Sequence, residues 1–512
     1  MKEKLKSLLP QFAVALAGGV LPLLMALVWQ QNLNGRMFGT AVFSILYLGV
    51  IFLLLSDGFY RLFKGNFRKS VLWAGAMSLV AVAISLGAYL FATHVFGMGS
   101  LIRMVVFGVA VVVCTVFVYG FALVLALLST DWIGRAFVSG VALVAVLALV
   151  LPLTLNPVKY FEGYRGDRIK YGTPDEKEFS VNDPFILTDG VILEKDPEKD
   201  FVVLNLADIQ LTDSDFSPLT PVAVETFLYI KELIERTNPS LITVSGDTGC
   251  GYETSTRIIA EFIDSFEIPW APVFGNHDHE IHDIDANYAA EIFMEQEHCV
   301  FQKGPANLGV GNYMIHVMEE GKLIHTFFMM DSHDYATFKV DGEKVEGYDH
   351  FWADTNGQLD WYYWGVTGIT AHDNRTVPST VIAHIPLVQF EEAFQNAWDF
   401  EAAPDYKNYE DYKNGCYKYD TAFGVYWDSG VASSPVDNGF FELMLALGST
   451  EHFLVGHDHT NNFSVMYQGI RLTFALKTGA GCYWNEKLNG GTTVTLASDG
   501  HTTVEHHYVQ DK

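Results

Sequence analysis

The chain is 512 residues long, half of them hydrophobic, with a formal net charge of −28. Up to Asn156 it has ten Lys/Arg against three Asp/Glu, and beyond that point 22 against 57. So acidic a second part repels long polyanions and argues against a nucleic acid polymer as partner, while the length and the shift in composition divide the chain into two parts of different kind.

In chain order, apolar runs come first: Phe12–Trp29, Gly39–Leu55, Val71–Val95, Leu101–Leu128 and Ala136–Leu153. Each approaches the roughly 17–25 residues that cross a hydrocarbon core. Lys2, Lys4 and Lys6 would also suit a secretory signal, but no small-residue cleavage site follows and four more runs do. The pattern predicts an all-α transmembrane bundle of about five helices over residues 1–156. Lys2, Lys4, Lys6, Arg61, Lys64, Arg68, Lys69 and Arg135 fall on one side, which marks it as cytoplasmic, against Arg36 and Arg103 on the other. Five crossings then place the rest of the chain outside the cytoplasm. Only Arg103, near a run's end, is charged within these stretches, so anchoring is the expected role rather than an ion pathway.

Residues 157–200 read as a polar linker with a lead-in hairpin, and 201–512 as a soluble α/β domain. Phe201–Leu206 is strand-like, Val222–Arg236 has helical periodicity, and Leu241–Val244 is again a strand. A helix over Ser255–Phe266 and a strand entering Phe274 follow. This β-α-β-α-β order implies a largely parallel sheet whose ligands gather beyond the carboxyl ends of its strands. Leu323–Met330, Thr380–Ala383 and Phe453–Val455 continue the strands, and two mixed sheets packed together would absorb them. Glu391–Ser434, rich in Tyr, Asp, Asn and Gly, reads as an insertion. Cys250, Cys299, Cys416 and Cys482 permit two disulfides but show no framework spacing.

Five strand ends carry metal-binding side chains: Asp208-Ile209-Gln210, Gly246-Asp247, Gly275-Asn276-His277-Asp278, His384, and Gly456-His457-Asp458-His459. They offer carboxylate, amide and imidazole with no obligatory thiolate, a donor set for two cations sharing a bridging carboxylate. Glycine ahead of three of the runs allows a sharp turn and close backbone approach.

The ordered set resembles the calcineurin-like metallophosphoesterases. The flanks Ala383-His384-Ile385-Pro386-Leu387 and Gly456-His457-Asp458-His459-Thr460-Asn461, with Lys477-Thr478-Gly479, look most like the purple-acid-phosphatase-like branch. The resemblance implies an α-β-β-α sandwich of two mixed sheets with two manganese, iron or zinc ions at its top. It implies that Asp208, Gln210 and His459 hold one ion, that Asp247 bridges, and that Asn276, His384 and His457 hold the other. His277 would be the catalytic acid and Asp278 would orient it. Gln210 departs from the family's usual His, and Cys250 stands where purple acid phosphatases carry a tyrosine ligand.

The expected chemistry is hydrolysis of a phosphomonoester or phosphodiester, with a metal-bridging hydroxide as nucleophile and His277 protonating the leaving group. The expected partners are a small phosphate ester and membrane lipid. The alternatives are a metal-stabilised sensor or scaffold weak in turnover through Gln210, and a lipid-headgroup hydrolase suggested by basic residues between Lys159 and Lys170. Among the remaining polar residues, His279, Glu280 and His282 are expected in solvated loop. Asp331-Ser332-His333-Asp334 ends a strand near the site, and Asn461 is a candidate contact behind the ligands or to phosphate. His316, His325, His501, His506 and His507 are expected in strands as exposed or satisfied polar residues.

Overall fold

The computed structural model describes residues 169–216, 221–340, 342–498 and 501–511. The five apolar runs, and the orientation drawn from their flanking charges, lie outside these residues. Among the described residues no helix is long and apolar enough to cross a membrane.

The elements in order are β1 (Val191–Glu194), β2 (Phe201–Leu206), α1 (Val222–Thr237), β3 (Leu241–Ser245), α2 (Glu253–Asp264), β4 (Trp270–Val273), α3 (Asn276–His279) and α4 (Ala286–Met294). Next come β5 (Tyr313–Glu319), β6 (Lys322–Met329), β7 (Tyr335–Val340), β8 (Glu343–Tyr348), α5 (Gln358–Asp373), β9 (Ser379–Ile382) and α6 (Gln389–Ala397). The chain continues through α7 (Phe440–Leu447), β10 (Thr450–Val455), β11 (Ser464–Tyr467), β12 (Ile470–Phe474), β13 (Gly490–Leu496) and β14 (Thr502–Tyr508).

The expected β-α-β-α-β alternation is β2-α1-β3-α2-β4, with all three strands parallel. Every residue of β3 is buried, as a strand covered on both faces requires. Helix α1 buries Ala223, Thr226, Ile230, Leu233 and Ile234, a three-and-four spacing that makes one apolar stripe, and ends on Asn238 in the left-handed region at φ 46°. A five-stranded sheet in the order β14-β13-β2-β3-β4 and a seven-stranded sheet in the order β1-β5-β6-β9-β10-β12-β11 result. Both mix parallel and antiparallel pairs.

Alternation along the larger sheet sets the layers. Ile315, Val317, Phe327, Met329, Ile382 and Leu454 join the core formed with β2, β3 and β4. Their neighbours Met314, Phe328, Met330, Val381, Phe453 and Val455 point the other way, into a second core with Tyr362 of α5, Phe390 and Phe394 of α6 and Phe440 of α7. The larger sheet is thus covered on both faces, and each fully buried aromatic or aliphatic side chain there contributes about 1.5–3 kcal/mol.

Two sequence expectations change. The stretch read as linker and lead-in hairpin supplies β1, which pairs in parallel with β5, while Lys170 bridges to Ile284. Its fold contribution therefore begins before residue 201. The stretch read as an insertion starts inside α6, and Trp398, Tyr406, Tyr417 and Tyr426 then pack their rings around Phe394.

Candidate metal centre

Parallel pairing brings the carboxyl ends of β2, β3 and β4 together, and likewise those of β9 and β10. The strand-end loops then bond to one another: Asp208 N–H donates to Gly246 O at 3.2 Å, Gln210 N–H to Asp247 O at 2.7 Å, and Gly456 N–H to His384 O at 3.2 Å. Backbone strain collects here. Asp208, Gln210, Asp247 and His457 have φ of 53°, 49°, 51° and 76°, a region costing non-glycine residues about 1–3 kcal/mol each. The motif glycines make room: a Cβ on Gly275 would lie 2.3 Å from Asp247 Oδ1, and one on Gly456 2.7 Å from Asp208 Oδ2.

Asp208, Asp247 and His384, all buried, each offer one ligand atom within 4.8 Å of the others. His384 Nδ1 lies 2.9 Å from the carbonyl of Ser245, which holds a proton on that nitrogen and turns Nε2 toward the centre. Nε2 then faces Asn276 Oδ1 at 3.1 Å, Asp247 Oδ2 at 3.3 Å and His457 Nδ1 at 3.2 Å. His459 repeats the device, with Nδ1 2.6 Å from Tyr483 O and Nε2 3.4 Å from Asp208 Oδ1. Gln210 donates from Nε2 to Asp247 Oδ2 at 2.8 Å, aiming its other atom, Oε1, into the interior with no hydrogen-bond partner. His457 Nε2 is likewise buried and unpartnered.

Carboxylate, amide and imidazole groups packed this closely, with Gln210 Oε1 and His457 Nε2 left unpartnered among them, are costly to bury, and a cation between them would relieve that cost. The residues present fit divalent cations: oxygen and imidazole nitrogen donors, oriented from behind by backbone carbonyls. Burial works to raise Asp247, but the charge and hydrogen bond of His384 and the charge of His277 outweigh it and hold the carboxyl well below its usual range. Burial works to lower His384, but the Asp247 and Asp208 charges and the Ser245 carbonyl lift it to about 9. His457, pulled down by burial and by His384, falls to about 3 and is neutral.

His277 stands at the mouth, its side chain 39% exposed, its backbone N–H donating to Asp247 Oδ1 at 2.9 Å. Burial pulls its imidazole down, but the bond to Glu280 and the Asp247 charge lift it to about 9. The carboxylate beside the ring is Glu280, 3.0 Å from Nδ1. The expectation that Asp278 orients His277 is therefore corrected. Asp278 turns away and accepts backbone N–H groups from Thr248, Gly249, Cys250 and Gly275 at 2.9–3.1 Å. Its work is to clamp the loops after β3 and β4 together.

Other expectations resolve as follows. The thiol of Cys250 is pushed well above its usual value by burial and the nearby Asp247 and Asp278 charges, which keeps it a protonated neighbour of the centre. Cys250, Cys299, Cys416 and Cys482 are joined by no disulfide among the described residues, so the two permitted pairings do not form. His279 is not solvated loop: it turns inward to Asp331 at 2.8 Å. Asn461 accepts the backbone N–H of Trp427 and of Asp428, each at 3.0 Å, and so braces the insertion. His316 and His325 sit buried in strands, and His506 half-buried in another. Glu280, expected in solvated loop, instead pairs with His277, its signal being its place one helical turn on, and Lys477, named only as a motif flank, has a buried ammonium that donates to the carbonyl of Asp208.

The sequence profile described as Calcineurin-like phosphoesterase matches residues 201–461, half of the chain and all five strand-end runs. The chain belongs to the calcineurin-like phosphoesterases. Among its relatives, this calcineurin-like phosphoesterase is 27% identical over 279 residues to "Probable inactive purple acid phosphatase 14" of Arabidopsis thaliana, covering 49% of this chain and 61% of that protein. It is 25% identical to "Probable inactive purple acid phosphatase 29" of the same plant, covering 49% and 62%, and 23% identical to "Phosphatase DCR2" of Saccharomyces cerevisiae, covering 53% and 46%. The chain thus spans less than two thirds of the length of these relatives. Among solved structures, a dimetal phosphatase from Danio rerio aligns with TM-score 0.33 and 11% identity, covering 61% of this chain and 99% of that one. A purple acid phosphatase from yellow lupin seeds aligns with TM-score 0.32 and 11% identity, covering 61% and 55%.

Proposed function

We propose that the protein is a metal-dependent phosphoesterase that hydrolyses a small phosphomonoester or phosphodiester. The observation that carries the reading is the convergence of Asp208, Asp247, His384, His457 and His459 on one buried place where Gln210 Oε1 and His457 Nε2 have no hydrogen-bond partner. In this reading Asp208, Gln210 and His459 hold one cation, Asn276, His384 and His457 the other, and Asp247 reaches both. Bound divalent cations supply Lewis acidity toward phosphoryl oxygen and lower the pKa of water. The chain's own residues do the rest. His277, at the mouth and paired with Glu280, carries a proton from Nδ1 or Nε2 to the departing alkoxide. Asp278 keeps the Asp247 loop in register with the His277 turn.

The five apolar runs support a membrane-anchored form with the catalytic domain outside the cytoplasm, and the anchor favours substrates met at a lipid surface. A second reading, a metal-stabilised sensor or scaffold, is favoured by Gln210 in place of histidine and by the word "inactive" in the names of the plant relatives. One experiment separates the two. The full chain is loaded with manganese, iron or zinc, and metal content is measured beside hydrolysis of a monoester and a diester. Hydrolysis that disappears in Asp247→Ala supports the esterase. Two bound metals with no hydrolysis of either ester supports the sensor, and no metal bound at all sinks both.

A further inference from the structure

Both imidazoles of the last strand-end run carry an aromatic ring. Tyr348 meets His457 edge-on, with centroids 4.4 Å apart at 88°, and Tyr335 leans on Tyr348 at 4.5 Å. Tyr483 stacks on His459 at 4.0 Å and 18°. A fourth ring, Trp427, follows a backbone held by Asn461, two residues beyond His459. The histidines are buried, yet Tyr335 is 60% exposed, Tyr483 42% and Trp427 39%. Single exposed aromatics need no explanation, but here Tyr348 and Tyr483 each touch a proposed ligand imidazole, and Tyr335 touches Tyr348.

The rim offers little to additional negative charge. Among the described residues, the arginine side chains are engaged away from the centre: Arg236 on the carbonyls of Tyr508 and Asp511, Arg257 with Glu295, Arg375 with Asp373, and Arg471 on the carbonyl of Thr421. Beside the buried Lys477 ammonium and the His277 ring, carboxylates also stand here. Asp428 accepts from Thr460 Oγ1 at 3.1 Å, next to His459, and Glu280 flanks His277. No guanidinium fork awaits a second phosphate, and a polyanion would meet repulsion.

We infer that the site selects esters of a single phosphate whose organic group is planar and aromatic, an aryl ring or a heterocyclic base, stacked against Tyr335 and Tyr483. This inference rests on the phosphoesterase reading. The rings are fixed in advance by their contacts with His457, His459 and Tyr348, so stacking costs little ordering of the protein. A stacked aromatic group is worth about tenfold or more in binding.

The test uses the manganese-loaded full chain with benzyl phosphate and ethyl phosphate, which share an alkoxide leaving group and differ in the ring, each also as its methyl diester. Parent protein is expected to favour benzyl over ethyl by tenfold or more in kcat/KM, through KM. That ratio is expected to fall toward unity in Tyr335→Ala, with metal content unchanged. Equal kcat/KM for the two esters in the parent overturns the inference, as does a preference that survives the substitution. If the rings only support the ligands, metal content and both rates drop together, which also overturns it. Binding of benzylphosphonate against ethylphosphonate keeps the two readings apart. Tenfold tighter benzylphosphonate binding without any ester hydrolysis would retain the aromatic subsite while removing the esterase.

Discussion

Gln210 is the residue on which the dinuclear reading is most exposed, and Gln210→Met tests it with little change of volume. In the metal-free protein two effects oppose each other. The substitution removes the 2.8 Å hydrogen bond from Gln210 Nε2 to Asp247 Oδ2, worth about 1.5–3 kcal/mol for a charged acceptor, and it also removes a buried oxygen without a partner, a relief of about 1–3 kcal/mol. The left-handed backbone at φ 49° is equally strained for either side chain. Metal-free stability should therefore change by no more than about 1 kcal/mol. With metal the balance is broken, because methionine's thioether is a poor ligand for a hard cation. Free manganese at a hundred times its dissociation constant stabilises by about 2.7 kcal/mol, and at ten times by about 1.4, so a tenfold loss of affinity removes about 1.3 kcal/mol. The assay is the thermal midpoint of parent and variant with and without manganese. The rise caused by metal should shrink by a few degrees in Gln210→Met, and it should grow in Gln210→His. An identical rise in parent and Gln210→Met would show that Oε1 is no ligand.

Asp278→Asn keeps one acceptor but sets an amide NH2 against the backbone N–H groups of Thr248, Gly249, Cys250 and Gly275. It should cost about 2–4 kcal/mol in urea denaturation of the metal-free protein, and an unchanged midpoint would refute the clamp. His316 and His506 are depressed to about 4 and His325 to about 3, in each case by burial first. Because the folded values lie below the ordinary one, the unfolded chain takes the proton first. Their contribution is full above about pH 6.5 and is lost as pH falls toward 4, by up to about 1.4 kcal/mol per pH unit for each group. Denaturation midpoints at pH 7 and pH 5 check this, and a flat profile would contradict it. Glu280→Gln removes the anion beside His277, so turnover of esters with poor leaving groups should drop about 10–100-fold, while a nitrophenyl ester, which leaves without a proton, changes less. Equal losses on both would place Glu280 outside proton transfer.

The strand-end runs were legible because their chemistry is local: a carboxylate, amide or imidazole placed just past a buried apolar strand has few structural uses. What each side chain does once there is set by contacts the linear order hides. Asp278 follows His277 directly, yet neighbours on a helical turn point about 100° apart, so the carboxylate that reaches the ring is Glu280, three positions on. β1 escaped notice because half its residues face solvent and its partner β5 lies far along the chain. The glycines and threonines of β13 likewise gave no apolar run, although every residue but Thr495 is buried.

The tautomers of the proposed ligands show the same limit most sharply. His384 presents Nε2 because Ser245, 139 residues earlier, offers a carbonyl to Nδ1. Ser245 in turn is held by a buried polar thread across the sheet, its hydroxyl accepting from Asn205 Nδ2 at 2.9 Å and Asn205 Oδ1 accepting from Thr243 at 2.9 Å. His459 depends in the same way on the carbonyl of Tyr483, whose ring also stacks on it. The imidazole nitrogens proposed to hold a cation are therefore aimed by backbone carbonyls on other segments. A substitution that shifts β3 or the Tyr483 loop should weaken metal binding even with every ligand side chain intact.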